Sequence, residues 1–224
     1  MTTVAKRLNE VKSTMPATGV QLVAVSKFHP AETIREAYDA GHRCFGESRV
    51  QELQQKYDQL PHDIEWHFIG HLQTNKVKYI IPYVAMIHSV DSTRILDEIE
   101  RQAARVDRVV DCLLEVHVAQ EDTKFGFSPQ ECIDFLESAQ AEAYPHVRFR
   151  GIMGMASNTD DEAQVKAEFA QLKQLFDEVR TGVMKANDYF DTLSMGMSLD
   201  YLLAIEQGST MVRIGTTIFG EREY

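Results

Sequence analysis

The chain has 224 residues, of which 44% are hydrophobic and 25% charged, so one barrel-sized domain or two small domains with a large folded core are expected. Its formal net charge of −11 disfavours non-specific nucleic-acid binding and docking on anionic membranes, because both need a basic surface. No apolar run approaches the roughly 20 residues that span a bilayer. The polar segment 1–16 lacks the apolar core of a signal peptide, so we expect a cytoplasmic protein.

Short β-branched runs alternate with longer helical patterns, and no linker rich in Pro, Gly or Ser divides them. The predicted strands are Val20–Lys27, Cys44–Glu47, Trp66–Gly70, Met86–Val90, Cys112–Val118, Arg148–Met155, Thr192–Met197 and Met211–Phe219. Eight strand-then-helix units predict an α/β protein folded as a single (β/α)₈ barrel, the TIM barrel, over residues 1–224. A doubly wound α/β sheet is the alternative, with some of these runs as edge strands or loops.

Helix boundaries are predicted from residues that suit helix ends. The predicted helices are Thr3–Thr14, Ala31–Ala40, Thr93–Arg105, a helix opened by Ser128-Pro129, and Asp161–Arg180. Pro30 suits the first position of its helix and Gly41 the position after the end, while Ser92 is a good N-cap. The first helix either closes the bottom of the barrel or completes its outer ring.

The functional site of a parallel barrel lies at the C-terminal ends of its strands, and Lys27 ends the first one. The preceding run Leu22–Ser26 is typical of a strand buried on both faces. Burial lowers the pKa of a lysine and makes its amine a nucleophile toward a carbonyl. A lysine that extends to solvent at the barrel rim is the alternative, and position alone favours it.

The ends of the seventh and eighth strands predict a phosphate site, because barrels commonly bind phosphate there. Ser198 is expected to cap the helix Leu199–Gln207 and to donate its hydroxyl to a phosphate, and Gly215-Thr216 offers close backbone approach and a second hydroxyl. A plain N-cap and a tight strand end are the structural alternatives. A lysine on the first strand that faces both turns strengthens the functional interpretation.

Arg213 is expected to point into the barrel, on the same side of its strand as Gly215. An interior arginine needs a partner, and a heteroaromatic nitrogen or a carboxylate would serve. An ion pair with Glu47 or Glu115 is an equally supported alternative.

The sequence predicts no metal site. His67 and His71 are four residues apart, but a strand passes into a loop there, so helical zinc geometry does not apply. His88 and His117 are interpreted as barrel histidines with satisfied hydrogen bonds.

The sulfur-containing side chains are expected to fill the interior. Cys44 and Cys112 lie in apolar runs and form no CxxC pair with Cys132, so buried thiols are favoured over ligands or nucleophiles. Four methionines are expected to pack around strand ends: Met153, Met155, Met195 and Met197.

Several long motifs together resemble the YggS/PROSC family of pyridoxal 5′-phosphate (PLP) homeostasis proteins. The motifs are Leu-Val-Ala-Val-Ser-Lys at 22–27, Trp-His-Phe-Ile-Gly-His-Leu-Gln-Thr-Asn-Lys at 66–76, His-Ser-Val-Asp at 88–91, Leu-Ser-Met-Gly-Met-Ser at 193–198 and Val-Arg-Ile-Gly-Thr-Thr-Ile-Phe-Gly at 212–220. The resemblance runs end to end. It implies a PLP fold type III barrel like the N-terminal barrel of alanine racemase, without the C-terminal β domain of that enzyme.

The resemblance also implies roles for individual residues. PLP would be held as an internal aldimine (a Schiff base) on Lys27, its phosphate by Ser198, Gly215 and Thr216, and its pyridine nitrogen would face Arg213.

The ring of the cofactor would be bordered by Met155 and by the turn at 46–49, which includes Ser48. The family's usual Gly-Glu-Asn reads Gly-Glu-Ser at 46–48 here, so Ser48 places a hydroxyl where an amide is usual.

The function that the resemblance implies is binding of PLP in intracellular vitamin B6 homeostasis, as a monomer without robust turnover and without catalytic residues. The alternative is a PLP-dependent amino-acid racemase, which needs a second acid/base from an additional C-terminal domain. The chain stops five residues after Phe219, so we expect no such domain. A third hypothesis is an unrelated phosphate-binding barrel enzyme that uses Lys27 without PLP, and the yellow colour of bound PLP would distinguish it.

Overall fold

The computed structural model describes residues 2–17, 19–119, 125–138 and 143–221. The elements follow in the order α1 (Thr3–Thr14), β1 (Gln21–Val25), α2 (Ala31–Asp39), β2 (Cys44–Glu47), α3 (Val50–Gln59), β3 (Glu65–Phe68), α4 (Thr74–Val77), β4 (Met86–Val90), α5 (Thr93–Arg105), β5 (Val110–His117), α6 (Pro129–Glu137), β6 (Val147–Met155), α7 (Glu162–Thr181), β7 (Thr192–Ser194), α8 (Tyr201–Glu206), β8 (Met211–Ile214) and α9 (Thr216–Phe219).

The eight strands close into one parallel barrel. Each strand pairs with its neighbours in the sequence, and β1 closes the barrel on β8 with Ala24 opposite Ile214. All eight pairings are parallel, which requires a crossover between successive strands. The predicted (β/α)₈ barrel is confirmed, and the doubly wound alternative is wrong.

The hydrophobic core has two parts because the strands bury both faces. The outer faces pack on the surrounding helices in one large cluster that includes Trp66, Phe68 and Phe169. A second cluster takes one side chain from each of six strands and therefore fills the barrel interior. Its members are Val23, Cys44, Met86, Leu113, Met153 and Met211.

Helix α1 completes the outer ring of helices. Its buried side chains Val4, Leu8 and Val11 recur at helical spacing, and the helix contacts α2 and α9. The hydroxyls of Thr14 and Tyr201 lie 2.9 Å apart, which joins the end of α1 to α8. None of the helices in the described ranges is long and apolar enough to cross a membrane.

Strands β7 and β8 end earlier than predicted. Strand β7 stops at Ser194 because Gly196, at φ +95°, turns the chain in a conformation that L residues rarely adopt. The predicted strand over Met211–Phe219 ends at Ile214, and residues 216–219 form α9. Its β-branched threonines and isoleucine favour a strand, but packing of the turn overrides that preference.

The helix ends agree with the sequence in part. Gly41 follows the C-cap of α2 with φ +89°, as predicted, whereas Pro30 occupies the N-cap and not the first helical position. Ser128 forms a capping box with Glu131 at α6. Ser92 occupies the N-cap of α5, but its hydroxyl donates to the Asp91 carboxylate instead of capping the helix.

The three cysteines are free and buried, which confirms the prediction for Cys44 and Cys112. Burial raises the pKa of the Cys132 thiol to about 12, so the thiol form persists at neutral pH.

Candidate functional site

Lys27 lies in a tight turn directly after β1 and is partly buried. The backbone N–H of His29 donates to the Ser26 carbonyl at 3.1 Å, which closes the turn. Phe28 has φ +69°, in the left-handed region that residues other than glycine rarely adopt. The predicted strand Val20–Lys27 therefore ends at Val25, and the turn sets the backbone position of the lysine.

The turns after β7 and β8 meet beside the end of β1. A Cβ atom at position 215 would lie 3.2 Å from the Val25 carbonyl oxygen, so Gly215 allows β8 to approach β1 closely. The N–H of Gly215 donates to the Ser198 hydroxyl oxygen at 3.2 Å. The two predicted phosphate turns are therefore hydrogen-bonded to each other. Gly215 lies against Val25 of the neighbouring strand β1, two residues before Lys27.

Ser198 does not cap α8, so that part of the prediction is wrong. Helix α8 begins at Tyr201 with Asp200 at its N-cap, and the Asp200 carboxylate accepts the Met197 N–H at 2.5 Å. The Ser198 hydroxyl oxygen accepts from Gly215, which leaves its proton free to be donated. Thr216 is exposed in the first turn of α9, where the backbone N–H groups have no acceptor within the helix.

Arg213 lies inside the barrel with 4% of its surface exposed. One guanidinium nitrogen donates to the Ser194 carbonyl at 2.9 Å and hydroxyl at 2.7 Å, and the other donates to the Gly154 carbonyl at 3.1 Å. Burial lowers the pKa of Arg213 to about 10, and the Glu115 carboxylate opposes this decrease. Arg213 therefore stays protonated at neutral pH.

The alternative in which Arg213 forms an ion pair with Glu47 is wrong, because Glu47 pairs with Lys56 at 2.7 Å. Glu115 influences Arg213 through its charge, and burial raises the pKa of this carboxyl to about 7. The direct partners of Arg213 in the described ranges are therefore backbone and hydroxyl oxygens on β6 and β7.

Two buried histidines extend the hydrogen bonds of Arg213 across the barrel. The Ser194 hydroxyl contacts His88 Nδ1 at 3.2 Å, and His88 Nε2 contacts His67 Nδ1 at 2.8 Å. Burial lowers the pKa of His67 to about 4 and that of His88 well below its ordinary value, so both rings are neutral at neutral pH. The prediction that His88 is a barrel histidine with satisfied hydrogen bonds is confirmed.

His117 departs from its prediction, because its Nε2 atom is buried without a hydrogen-bond partner among the residues described. His71 contacts the Asp91 carboxylate at 2.9 Å rather than joining His67.

Met155 ends β6 and is partly buried against the interior cluster, which is compatible with a role beside a ring. Ser48 follows β2 and is packed tightly, since a Cβ atom at position 70 would lie 2.7 Å from the Ser48 Cβ. Met153 and Met195 are buried as predicted, whereas Met197 is 39% exposed.

A group of charged residues that the sequence analysis missed lies behind the Lys27 turn. Lys56 on α3 contacts Glu47 at 2.7 Å and Glu52 at 2.6 Å, and the Ser26 hydroxyl donates to Glu47 at 2.6 Å. Burial raises the pKa of Glu47, and the Lys56 ammonium opposes that rise. The only sequence signal was the helical i,i+4 spacing of Glu52 and Lys56.

A cavity of about 570 Å³ opens beside the Lys27 turn, between the start of α2 and the length of α3. Its lining includes Phe28, His29, Arg49, Glu52 and Lys56.

One group of potential metal-ligating side chains lies at the other end of the barrel. Cys44, Glu65 and His67 bring one ligand atom each within 4.8 Å of one another. The expectation that the protein holds no metal stays a prediction.

The chain matches one protein family and is similar in sequence to named relatives. Residues 1–223 match the family described as the alanine racemase N-terminal domain. The pyridoxal phosphate homeostasis protein of Aquifex aeolicus is 43% identical over 205 residues, which are 91% of this chain and 88% of the relative. The protein of the same name from Pasteurella multocida is 40% identical over 93% of this chain and 89% of its own length.

Solved structures agree with these relatives. PipY of Synechococcus elongatus PCC7942 without PLP has a TM-score of 0.89 and 38% identity, covering 97% of this chain and 100% of PipY. The structure of PipY with PLP bound has a TM-score of 0.85 and 37% identity over the same shares of the two chains.

Proposed function

The chain belongs to the family described as the alanine racemase N-terminal domain, and on that premise we propose that it binds PLP through Lys27 and serves in intracellular PLP homeostasis. The relatives compared at 43% and 40% identity carry the name of a homeostasis protein and not of an enzyme. PipY, at 37% identity, has been solved with PLP bound.

One observation carries the proposal: the Lys27 turn adjoins the junction of the β7 and β8 turns. The Ser198 hydroxyl can donate to a phosphate while it accepts from Gly215, and Gly215 brings this junction against β1. Thr216 adds a second hydroxyl at the first turn of α9, beside N–H groups suited to an anion. These contacts support a site in which the Lys27 amine and an anion-binding turn lie at the ends of adjacent strands.

The residues present fit PLP. When bound, PLP supplies an aldehyde carbon that an amine can attack. Lys27 would hold the group through its side-chain amine, the nucleophile that such an aldehyde needs. Ser198, Gly215 and Thr216 hold the phosphate, and Met155 and Ser48 border the ring.

Arg213 determines which chemistry the site supports. It is protonated and can only donate a hydrogen bond, so a pyridine nitrogen held by Arg213 would stay in the unprotonated form. Its contacts to β6 and β7 fix the guanidinium in the barrel. A ring that lacks a proton on this nitrogen withdraws electrons poorly. The racemase alternative is disfavoured because the relatives at 43% and 40% identity carry the name of a homeostasis protein.

The proposal also includes the domain organisation, oligomeric state, location and partners of the protein. In this proposal residues 1–224 belong to one domain, and the protein is a cytoplasmic monomer with no nucleic-acid partner. The net charge of −11 supports the last point, because counterion release needs a basic surface.

The test is a PLP titration followed by visible absorbance, with the parent and with Lys27→Ala. The parent should develop the absorbance band of lysine-bound PLP, whereas Lys27→Ala should lack it and keep its circular dichroism spectrum. Persistence of the same band in Lys27→Ala would remove Lys27 from the site.

A further inference from the structure

Hydrogen bonds hold the backbone on both sides of Lys27. On the preceding side, the Ser26 hydroxyl donates to Glu47 at 2.6 Å and the Ser26 carbonyl accepts from Lys56 at 2.8 Å. On the following side, the Phe28 N–H donates to the Glu52 carboxylate at 2.5 Å. The lysine turn is therefore tied to β2 and α3 at the residues directly before and after Lys27.

Lys56 connects all of these bonds. Its ammonium contacts the Ser26 carbonyl at 2.8 Å, Glu47 at 2.7 Å and Glu52 at 2.6 Å. An ammonium has three donors, and three different oxygens accept them here. Lys56 is 5% exposed, and such burial of a charged group is tolerated only with paired charges and satisfied hydrogen bonds.

The turn needs such support because it is strained. The bond from His29 N–H to Ser26 carbonyl makes Phe28 the third residue of the turn, and its φ is +69°. Turns with this geometry normally place glycine or asparagine there. Surrounding contacts must hold a larger residue in that conformation. Glu52 supplies one, and the Arg49 guanidinium, 4.6 Å above the Phe28 ring, supplies another.

We propose that Lys56 is a positioning residue that, through the Ser26 carbonyl and Glu52, holds the strained turn so that the Lys27 amine is presented for covalent attachment. The inference rests on the proposed function, in which Lys27 carries PLP. Lys56 acts on the backbone beside Lys27 and not on the β7–β8 phosphate junction. It therefore governs covalent attachment of the cofactor separately from the grip on its phosphate.

The test compares PLP with pyridoxine 5′-phosphate, which keeps the ring and phosphate but has an alcohol in place of the aldehyde. Lys56→Met should weaken the binding of PLP about tenfold, or 1.4 kcal/mol, and leave pyridoxine 5′-phosphate within about twofold. Glu52→Ala removes the acceptor of the Phe28 N–H, keeps the Lys56–Glu47 pair and should shift the two affinities in the same way. Glu52→Ala therefore tests the proposal even if Lys56→Met does not fold.

Two further variants sharpen the test. Asp111→Asn is the matched control, because it removes the charge of a buried carboxylate that contacts Arg148 and Arg150 at the start of β5, at the opposite end of the barrel. It should lower stability and leave both affinities unchanged. Phe28→Gly relieves the strain of the left-handed conformation. Glu52→Ala should therefore weaken PLP binding less in the Phe28→Gly background than in the parent.

Each outcome decides the proposal. Selective loss of PLP in Lys56→Met or Glu52→Ala supports a positioning role. Equal loss of both ligands, or parent affinity in both variants, overturns it. A parent protein that binds PLP without its visible band would instead refute the proposed function, so the two failures are distinguishable.

Discussion

Replacing Ser198 by alanine should weaken the binding of PLP and leave the binding of pyridoxal almost unchanged. The Ser198 hydroxyl accepts the Gly215 N–H at 3.2 Å and has one proton to donate to a phosphate. A hydrogen bond to a charged group contributes about 1.5–3 kcal/mol. The dissociation constant of PLP should therefore rise roughly 10- to 150-fold, whereas pyridoxal lacks the phosphate and loses nothing.

Equilibrium titration of both ligands measures the effect. Ser128→Ala is the matched control, because it removes a serine hydroxyl from the capping box of α6, away from the β7–β8 junction. It should lower stability by about 1 kcal/mol and leave both affinities at the parent values. Equal weakening of PLP and pyridoxal by Ser198→Ala would mean that Ser198 acts through the fold, and the phosphate assignment would be wrong.

Two further predictions concern Glu115 and turnover. Burial raises the pKa of Glu115 in the folded protein to about 7, above its ordinary 4.5. The contribution of this carboxyl to the free energy of unfolding is therefore complete below pH 4.5 and is lost as the pH rises through 7. Glu115→Gln should abolish this loss, up to about 3 kcal/mol, in denaturant unfolding at pH 5 and 8; parallel pH curves for parent and variant would contradict it. With L-alanine and PLP in deuterated water, NMR should show α-proton exchange far below enzyme rates of about 1–10³ s⁻¹; racemisation at such rates would establish the racemase alternative.

The fold was predictable because its signals are local. Strands buried on both faces give continuous apolar runs, such as Leu22–Ser26, and their regular alternation with helices leaves few topologies. The errors lie where local preference and packing disagree. Residues 216–219 are rich in β-branched side chains but form a helix, because the chain turns at Gly215 against β1.

The candidate site was predictable only at the strand ends. Lys27, Ser198 and Gly215 could be found because parallel barrels bring such ends together. The contacts of Lys56 with Ser26 and Glu47 join residues 30 and 9 positions apart, so neither pattern nor periodicity could find them.

The pairing of two neutral histidines across neighbouring strands was missed for the same reason. His67 and His88 are 21 residues apart and meet only because β3 and β4 are adjacent. Each was assigned separately from its sequence position, and the hydrogen-bonded row that reaches Arg213 depends on the register of the closed barrel.

Chemical trapping of the attached lysine tests the central claim most directly. The parent is saturated with PLP, reduced with borohydride, which converts the C=N bond to a stable amine, and digested for peptide mass spectrometry. The account predicts one modified residue, Lys27, with loss of the visible band on reduction. Modification of a different lysine, or bound PLP with no modified lysine, would contradict it.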